Sequence, residues 1–287
     1  MRLNIRKNME PYMYILPSAI IFILFLFYPF FKTIFLSLFL TDNMGQPAVF
    51  VGLKNYTDLF VSASFYNSIK ATVIFVVIEV FLSMLLGLAT AVLCNKSFPG
   101  IRFFSTAYAL PMAVASSSAA LIFKIILHPT IGILNKLINS KINWIVDPNY
   151  ALICVAVLTA WLNSGINFLY FSAGLSNIDE TLYERASVDG ANSIQKFFRI
   201  TLPGLSPIIF YTFVVNIIQA FQSFGQVKIL TEGGPGETTN LIVYSIYRDA
   251  FFNYRFGGAS AQSIILFIII MALTLIMFKL EKKKVSY

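Results

Sequence analysis

Residues 184–203 read ERASVDGANSIQKFFRITLP, a polar and charged stretch set between long apolar runs. A helix that spans a bilayer needs roughly 20 predominantly apolar residues. This island cannot sit in hydrocarbon, and the runs around it can. Six windows reach the required length, at about 12–31, 71–94, 103–127, 151–173, 205–227 and 259–278. The expected fold is an all-α integral membrane protein with six transmembrane helices in a single domain, residues 1–287. Residues 174–204 form a loop outside the membrane between the fourth and fifth helices.

Composition reaches the same class independently. Apolar residues make up 57% of the chain and charged residues 12%, against about 25% charged in soluble domains. The mean hydropathy is +0.76. The net charge of +8 does not indicate nucleic acid, because the basic residues are scattered among apolar runs and form no stripe with interleaved aromatics. Cys94 and Cys154 lie inside apolar runs and read as small buried hydrophobes, with neither disulfide nor metal-ligand spacing. The first window is not expected to be a cleaved signal peptide, since it continues past Pro29 and no small-residue cleavage site follows.

Lys and Arg flanking the spans set the orientation, because cytoplasmic loops carry the excess. With the N-terminus inside, the inner segments hold Arg2, Arg6, Lys7, Lys96, Arg102, Arg185, Lys196, Arg199, Lys279, Lys282, Lys283 and Lys284, which is 12 of the 21 basic residues. Both termini and the 174–204 loop are then cytoplasmic. Within the loop, Asn177 with Glu180 and Asn192 with Gln195 have capping-box spacing, so two short helices are expected to flank Asp189-Gly190. Pro203 is expected to end the second of them. Tyr183, Ala186, Ile194, Phe197 and Phe198 give the pair an apolar face that calls for a protein partner, or for lipid headgroups to rest on.

Polar residues inside the spans are the candidates for a solute path. Asn216, Gln219, Gln222, Ser223 and Gln226 follow a spacing that puts all five on one face of helix five, with Asn163, Ser164 and Asn167 as companions on helix four. Uncharged amides donate and accept, which suits a hydroxyl-rich solute; the same groups also serve as interhelical hydrogen bonds. Glu79 is an ionisable group among Ile, Val and Phe in the second span, and must be paired, protonated or wet. Lys124 and the single histidine, His128, read as interface anchors at the end of helix three. With one histidine and scattered carboxylates there is no catalytic or metal constellation, and no catalytic residue is expected. Gly233-Gly234-Pro235-Gly236 runs into Glu237 without the lysine of a phosphate-binding loop, so it reads as a tight outer turn.

The first half of the polar island, Glu184 to Ala191 with Gly190 at its turn, resembles the cytoplasmic coupling loop of binding-protein-dependent ABC importer permeases. Glu184, Ala186, Asp189, Gly190, Ala191, Phe197, Ile200, Leu202 and Pro203 fit the family pattern, while Arg185 stands where the family usually has alanine. Other matches are Leu16-Pro17, Pro29, Ser37, VGLKNY at 51–56, Gly174-Leu175, LTEGGPGETTN at 230–240, Tyr247, Ala250-Phe251 and the small-residue run 257–261.

The resemblance implies a type I ABC importer permease that performs no covalent chemistry. Its partners would be a second homologous permease, two subunits that bind ATP and magnesium and receive the coupling loop, and an extracytoplasmic solute-binding protein that contacts Gly233, Gly234 and Pro235. The implied location is the bacterial cytoplasmic membrane. Within the family, ALPMAVA at 109–115, NFLYF at 167–171, VVN at 214–216, Ile246-Tyr247-Arg248 and residues 261–263 are most similar to glycerol-3-phosphate permease subunits. The implied solute is glycerol-3-phosphate or a related glycerophosphodiester, with an oligosaccharide or other sugar as the alternative. Lys124, Lys228 or Arg248 could serve an anionic solute. An ion-coupled secondary transporter using Glu79 is the reading from outside the family.

Overall fold

The computed structural model describes residues 5–95 and 99–284. Arg2 and Lys96 of the orientation argument lie outside the described residues, as do the side chains of Arg6, Lys7, Lys282, Lys283 and Lys284. In chain order the elements are α1 (Ile5–Phe22), a π turn (Ile23–Phe27), α2 (Tyr28–Leu36), β1 (Phe39–Thr41), β2 (Pro47–Phe50), α3 (Lys54–Val61) and α4 (Ala63–Cys94). Next come α5 (Ile101–Ala109), a short 3-10 turn, α6 (Ser116–Ile126), α7 (Ile133–Leu137), α8 (Ala151–Ser176), α9 (Glu180–Val188) and α10 (Ser193–Lys196). A second π turn (Phe197–Thr201) leads into α11 (Leu202–Gly204), α12 (Ser206–Phe221), α13 (Gly225–Leu230), α14 (Ile242–Phe251) and α15 (Phe256–Lys284).

Among the described residues, four unbroken stretches are long and apolar enough to cross a membrane: Tyr14–Leu36, Ala63–Cys94, Ala151–Ser176 and Phe256–Glu281. Two bent pairs complete six, Ile101–Ala113 with Ser116–Ile126 at 103° and Ser193–Gly204 with Ser206–Phe221 at 66°. The third and fifth windows are therefore not the straight helices expected. Proline accounts for both departures, because it brings no N–H to the helical ladder and crowds the preceding turn. Pro111 lies at the start of the 3-10 turn, after which Val114 and Ala115 are extended. Pro203 does not end its helix. It lies near the start of α11, and the ladder ahead of it opens into the π turn, where the Leu202 N–H reaches back to Phe197 O. The chain bends only at Leu205, since Pro207 cannot donate to the Pro203 carbonyl. Pro29 has the same effect on the first span, where the Tyr28 N–H bonds Ile23 O across a π turn.

The chain divides into two compact units. Residues 1–62 and 246–268 form the first. Its antiparallel hairpin pairs Phe39 with Phe50 and Leu40 with Val49. Asp42 closes the turn by accepting the Met44 and Gln46 N–H groups at 2.9 and 2.7 Å. Asn55, from the VGLKNY stretch, is buried and donates through Nδ2 to Ser37 O (2.8 Å) and Phe39 O (2.9 Å). That stretch therefore ties the end of the first span to the hairpin. Gly257 passes so close to β1 that a Cβ there would lie 2.1 Å from Phe39 O.

The second unit, residues 63–245 and 269–287, holds the coupling-loop candidates, the amide stripe and the Gly-Gly-Pro turn. Its centre is the packing of α4 along α8, which small residues permit, as is usual between helices in membranes. A Cβ on Gly87 would come within 2.5 Å of the Asn167 Cβ, and one on Gly165 within 3.1 Å of Ala109 O. Ala91, Phe168, Phe171, Leu175 and Leu205 form the buried cluster beside the loop, with Met84, Leu88 and Ile208 against it. At the other end, Asn135 organises the connection between α7 and α8. Its Nδ2 donates to Pro129 O and Ile142 O, and its Oδ1 accepts from Ser140 Oγ and Trp144 Nε1, all within 2.8 to 3.0 Å.

Candidate coupling loop and solute cavity

The loop is built as two capped helices closed by a glycine turn. The first cap differs from the expected one. Asn177 has helical backbone angles and closes α8, so its side chain is not offered to a new helix. Asp179 is extended and caps α9, accepting from Thr181 N at 2.9 Å. The second cap is as expected: Asn192 Oδ1 accepts from Gln195 N at 2.8 Å and Gln195 Oε1 from Asn192 N at 2.9 Å, a reciprocal capping box. Between the helices Gly190 has φ +76°, a left-handed conformation that glycine adopts without steric cost.

Two contacts hold the pair together. Lys196 Nζ donates to Ser187 Oγ at 2.6 Å, linking α10 to α9. Tyr183 and Thr201 share a hydroxyl hydrogen bond of 2.9 Å, linking α9 to the π turn. Gly174 and Gly204 lie where a Cβ would meet Leu205 at 2.8 Å and Ile178 at 2.9 Å, so the two glycines let the loop's ends meet.

Of the expected coupling residues, Glu184, Arg185, Asp189, Gly190 and Pro203 are exposed, and Ala186, Ala191 and Phe197 are half-buried. Of the expected apolar face, Ile194 and Phe198 are 69% and 61% exposed while Tyr183, Ala186 and Phe197 are half-buried; Val188, outside that expectation, is 89% exposed. Arg185 is among the exposed side chains and so does not disturb the packing of α9.

The helix-five stripe divides. Because α12 ends at Phe221 and α13 starts at Gly225, Gln222, Ser223 and Gln226 do not continue the face of Asn216 and Gln219. Asn216 and Asn167 are fully buried and face each other. Asn216 Nδ2 donates to Asn167 Oδ1 (2.9 Å) and Thr212 O (2.7 Å), while its Oδ1 accepts from Asn167 Nδ2 (3.1 Å) and Ser83 Oγ (3.2 Å). An amide offers two donors and two lone pairs, so Asn216 has no capacity left for a solute. These two asparagines join α4, α8 and α12, and the solute-lining reading of them is corrected accordingly. Ser164 is likewise turned inward, donating to Trp161 O at 2.7 Å.

The remaining amides do share a space. Asn163, Gln219 and Gln226, together with Ser116, line a cavity of about 350 Å³ whose other walls are Pro111, Met112, Val114, Leu162 and Ile166. Gln222 is exposed outside it and Ser223 is buried. The sequence reading missed Ser116 and the apolar wall at 111–114, for which the bend after Pro111 is responsible. Glu79, 0% exposed, lies behind Asn163. Its Oε1 accepts from Asn163 Nδ2 at 2.8 Å, and its Oε2 has no satisfactory hydrogen-bond geometry with any described residue, although the Ser83 hydroxyl is close.

The Gly-Gly-Pro turn is tightly pinned. Thr239 Oγ1 bonds Thr231 Oγ1 and Gly234 O, both at 2.7 Å. Ser64 Oγ donates to Glu237 Oε1 at 2.9 Å, and Ile242 N to Thr72 Oγ1 at 2.9 Å, which fasten the loop to α4. Gly233 has φ +80° against the Tyr244 ring, where any Cβ would lie 2.7 Å away.

Up to six apolar spans, a capped loop with exposed apolar side chains and a partly polar cavity are features expected of a membrane permease. Residues 83–287 match the family described as binding-protein-dependent transport system inner membrane component. The chain belongs to that family and is a permease subunit of an ABC importer, of type I architecture, in the inner membrane. It is 36% identical over 281 residues to the sn-glycerol-3-phosphate transport system permease protein UgpA of Agrobacterium fabrum, covering 96% of each chain. It is 32% identical over 286 residues to UgpA of Pectobacterium atrosepticum, covering 98% of this chain and 97% of the relative. The fold matches the crystal structure of a bacterial ABC transporter involved in import of the acidic polysaccharide alginate, with a TM-score of 0.85 at 22% identity over 99% of this chain and 98% of the other. A bacterial alginate ABC transporter in complex with an alginate pentasaccharide-bound periplasmic protein gives a TM-score of 0.84 at 22% identity, covering 96% of each chain.

Proposed function

We propose that this permease imports sn-glycerol-3-phosphate or a related glycerophosphodiester. The observation that carries the reading is the similarity to glycerol-3-phosphate permeases along nearly the whole chain, at 36% identity over 96% of it. One feature favours a second solute class, an oligosaccharide or other sugar. The cavity wall of Asn163, Gln219, Gln226 and Ser116 contains no cation, and neutral amides suit hydroxyls. The partners are a second homologous permease beside this chain, two ATP-binding subunits with their ATP and magnesium, and a solute-binding protein that meets the Gly233-Gly234-Pro235 turn. Both termini and the 174–204 loop face the cytoplasm, and Glu184 is suited to pair with a basic group on the ATPase. Closure of the ATP-binding subunits moves the loop and switches the helices from inward-open to outward-open. Hydrolysis belongs to those subunits, and this chain forms no covalent bond with the solute.

The test is uptake in proteoliposomes holding the permease pair, the ATPase and the binding protein, with labelled sn-glycerol-3-phosphate and maltotriose compared. ATP-dependent uptake of the phosphate ester supports the first reading, and preference for maltotriose supports the second. Uptake without the ATPase would refute both.

A further inference from the structure

We propose that Glu79 is a positioning residue for the solute cavity: it holds the Asn163 amide by its Nδ2, so that Asn163 Oδ1 is the atom presented to a solute hydroxyl. The inference rests on the cavity being the solute path and deepens that reading by naming what sets the polarity of its wall.

Asn163 is half-buried and lines the cavity, whereas Glu79 is completely buried and does not. They belong to α8 and α4, 84 residues apart in sequence, and meet through one hydrogen bond of 2.8 Å from Asn163 Nδ2 to Glu79 Oε1. A side-chain amide left alone can turn either way, offering N–H₂ or C=O to a ligand. An ionised carboxylate only accepts, so in that state Glu79 anchors Nδ2 from behind, removes that choice and leaves an acceptor facing the cavity. Among the described residues no carboxylate bonds the Gln219 or Gln226 amide, so these amides can still donate or accept. Joining α4 to α8 does not by itself call for a carboxylate. The Asn167, Asn216 and Ser83 group already does this with neutral groups, and a buried carboxyl is a costly substitute in a membrane helix. Glutamine at 79 would fill the same volume but could accept or donate, and the Asn163 amide would no longer be held in one sense.

The experiment compares wild type, Glu79→Gln, Asn163→Ala and the double variant in the assembled complex with saturating binding protein. Solute moved per ATP hydrolysed is read for whichever of sn-glycerol-3-phosphate and maltotriose the wild type carries better. One well-placed hydrogen bond to a solute hydroxyl is worth about tenfold. We expect a fall of about fivefold to tenfold for either single variant and no further fall for the double. If Asn163→Ala lowers the ratio and Glu79→Gln does not, the positioning role is wrong and the cavity reading stands. If Asn163→Ala leaves the ratio unchanged, the cavity is not the path and both readings fail. If Glu79→Gln lowers thermal stability or assembly while the ratio holds, Glu79 is structural only. Should Glu79→Gln fail to assemble, Glu79→Met fills a similar volume with no oxygen to accept from Asn163 Nδ2: a lowered ratio supports the proposal and an unchanged one overturns it.

Discussion

The coupling loop and the α4–α8–α12 interior invert the usual distribution of side chains in opposite ways. In the interior, Asn167, Asn216 and Ser83 are polar groups surrounded by apolar helices, and they find partners in one another. On the loop, Val188, Ile194 and Phe198 are apolar side chains left largely exposed by the described residues. Buried polar groups must be satisfied within the fold, because hydrocarbon supplies no hydrogen bonds. Exposed apolar groups outside the membrane can remain uncovered until another subunit arrives. One region is therefore complete as it folds, and the other, on the function proposed above, is completed by another subunit.

Gly190→Pro should have the largest effect. Proline cannot take φ +76° and would also lose the Gly190 N–H bond to Ser187 O, a change that costs about 3 kcal/mol or more. ATP-driven uptake should fall at least about a hundredfold while the spans still insert. Gly190→Ala meets nothing within 4 Å and should cost only about 1 kcal/mol. Equal losses for the two variants would show that the turn's conformation is not what matters.

Asn216→Ala tests the other side of the comparison. It leaves Asn167 and Ser83 without their shared partner and should lower the stability of the isolated permease by about 1–3 kcal/mol, read as an earlier thermal transition in detergent. An unchanged transition would mean that these hydrogen bonds do not hold α8 to α12.

Phe198→Ser should be the mildest and the most selective. Affinity for the ATP-binding subunit should drop about tenfold in a pull-down titration. Unfolding of the permease alone should stay within about 0.5 kcal/mol of wild type, since the side chain is 61% exposed. A stability loss without an affinity loss would move Phe198 from the docking surface into the fold.

Much of this was legible in local sequence. Six apolar windows marked the six spans, Asn192 with Gln195 marked a cap, and Asp189-Gly190 marked the turn, because each of these is decided within a few residues. Errors arose where two local signals competed. Asn177 and Asp179 both stand ahead of Glu180, and only the backbone conformation at Asp179 decides which of them caps. Pro203 signalled a helix end, yet the ladder absorbed it as a π turn and broke two residues later.

The sequence alone determined a six-span chain with a polar loop, since hydropathy and helical period are sums over neighbours and need no knowledge of the fold. It could not show that Glu79 would meet Asn163, that Asn216 would exhaust its hydrogen bonds on Asn167 and Ser83, or that the bend after Pro111 would open a cavity beside Gln219. Each of those depends on which faces of α4, α8 and α12 approach one another. Tertiary packing decides this, because hydrogen bonds reach only about 3 Å and their partners here lie 49 to 133 residues apart along the chain.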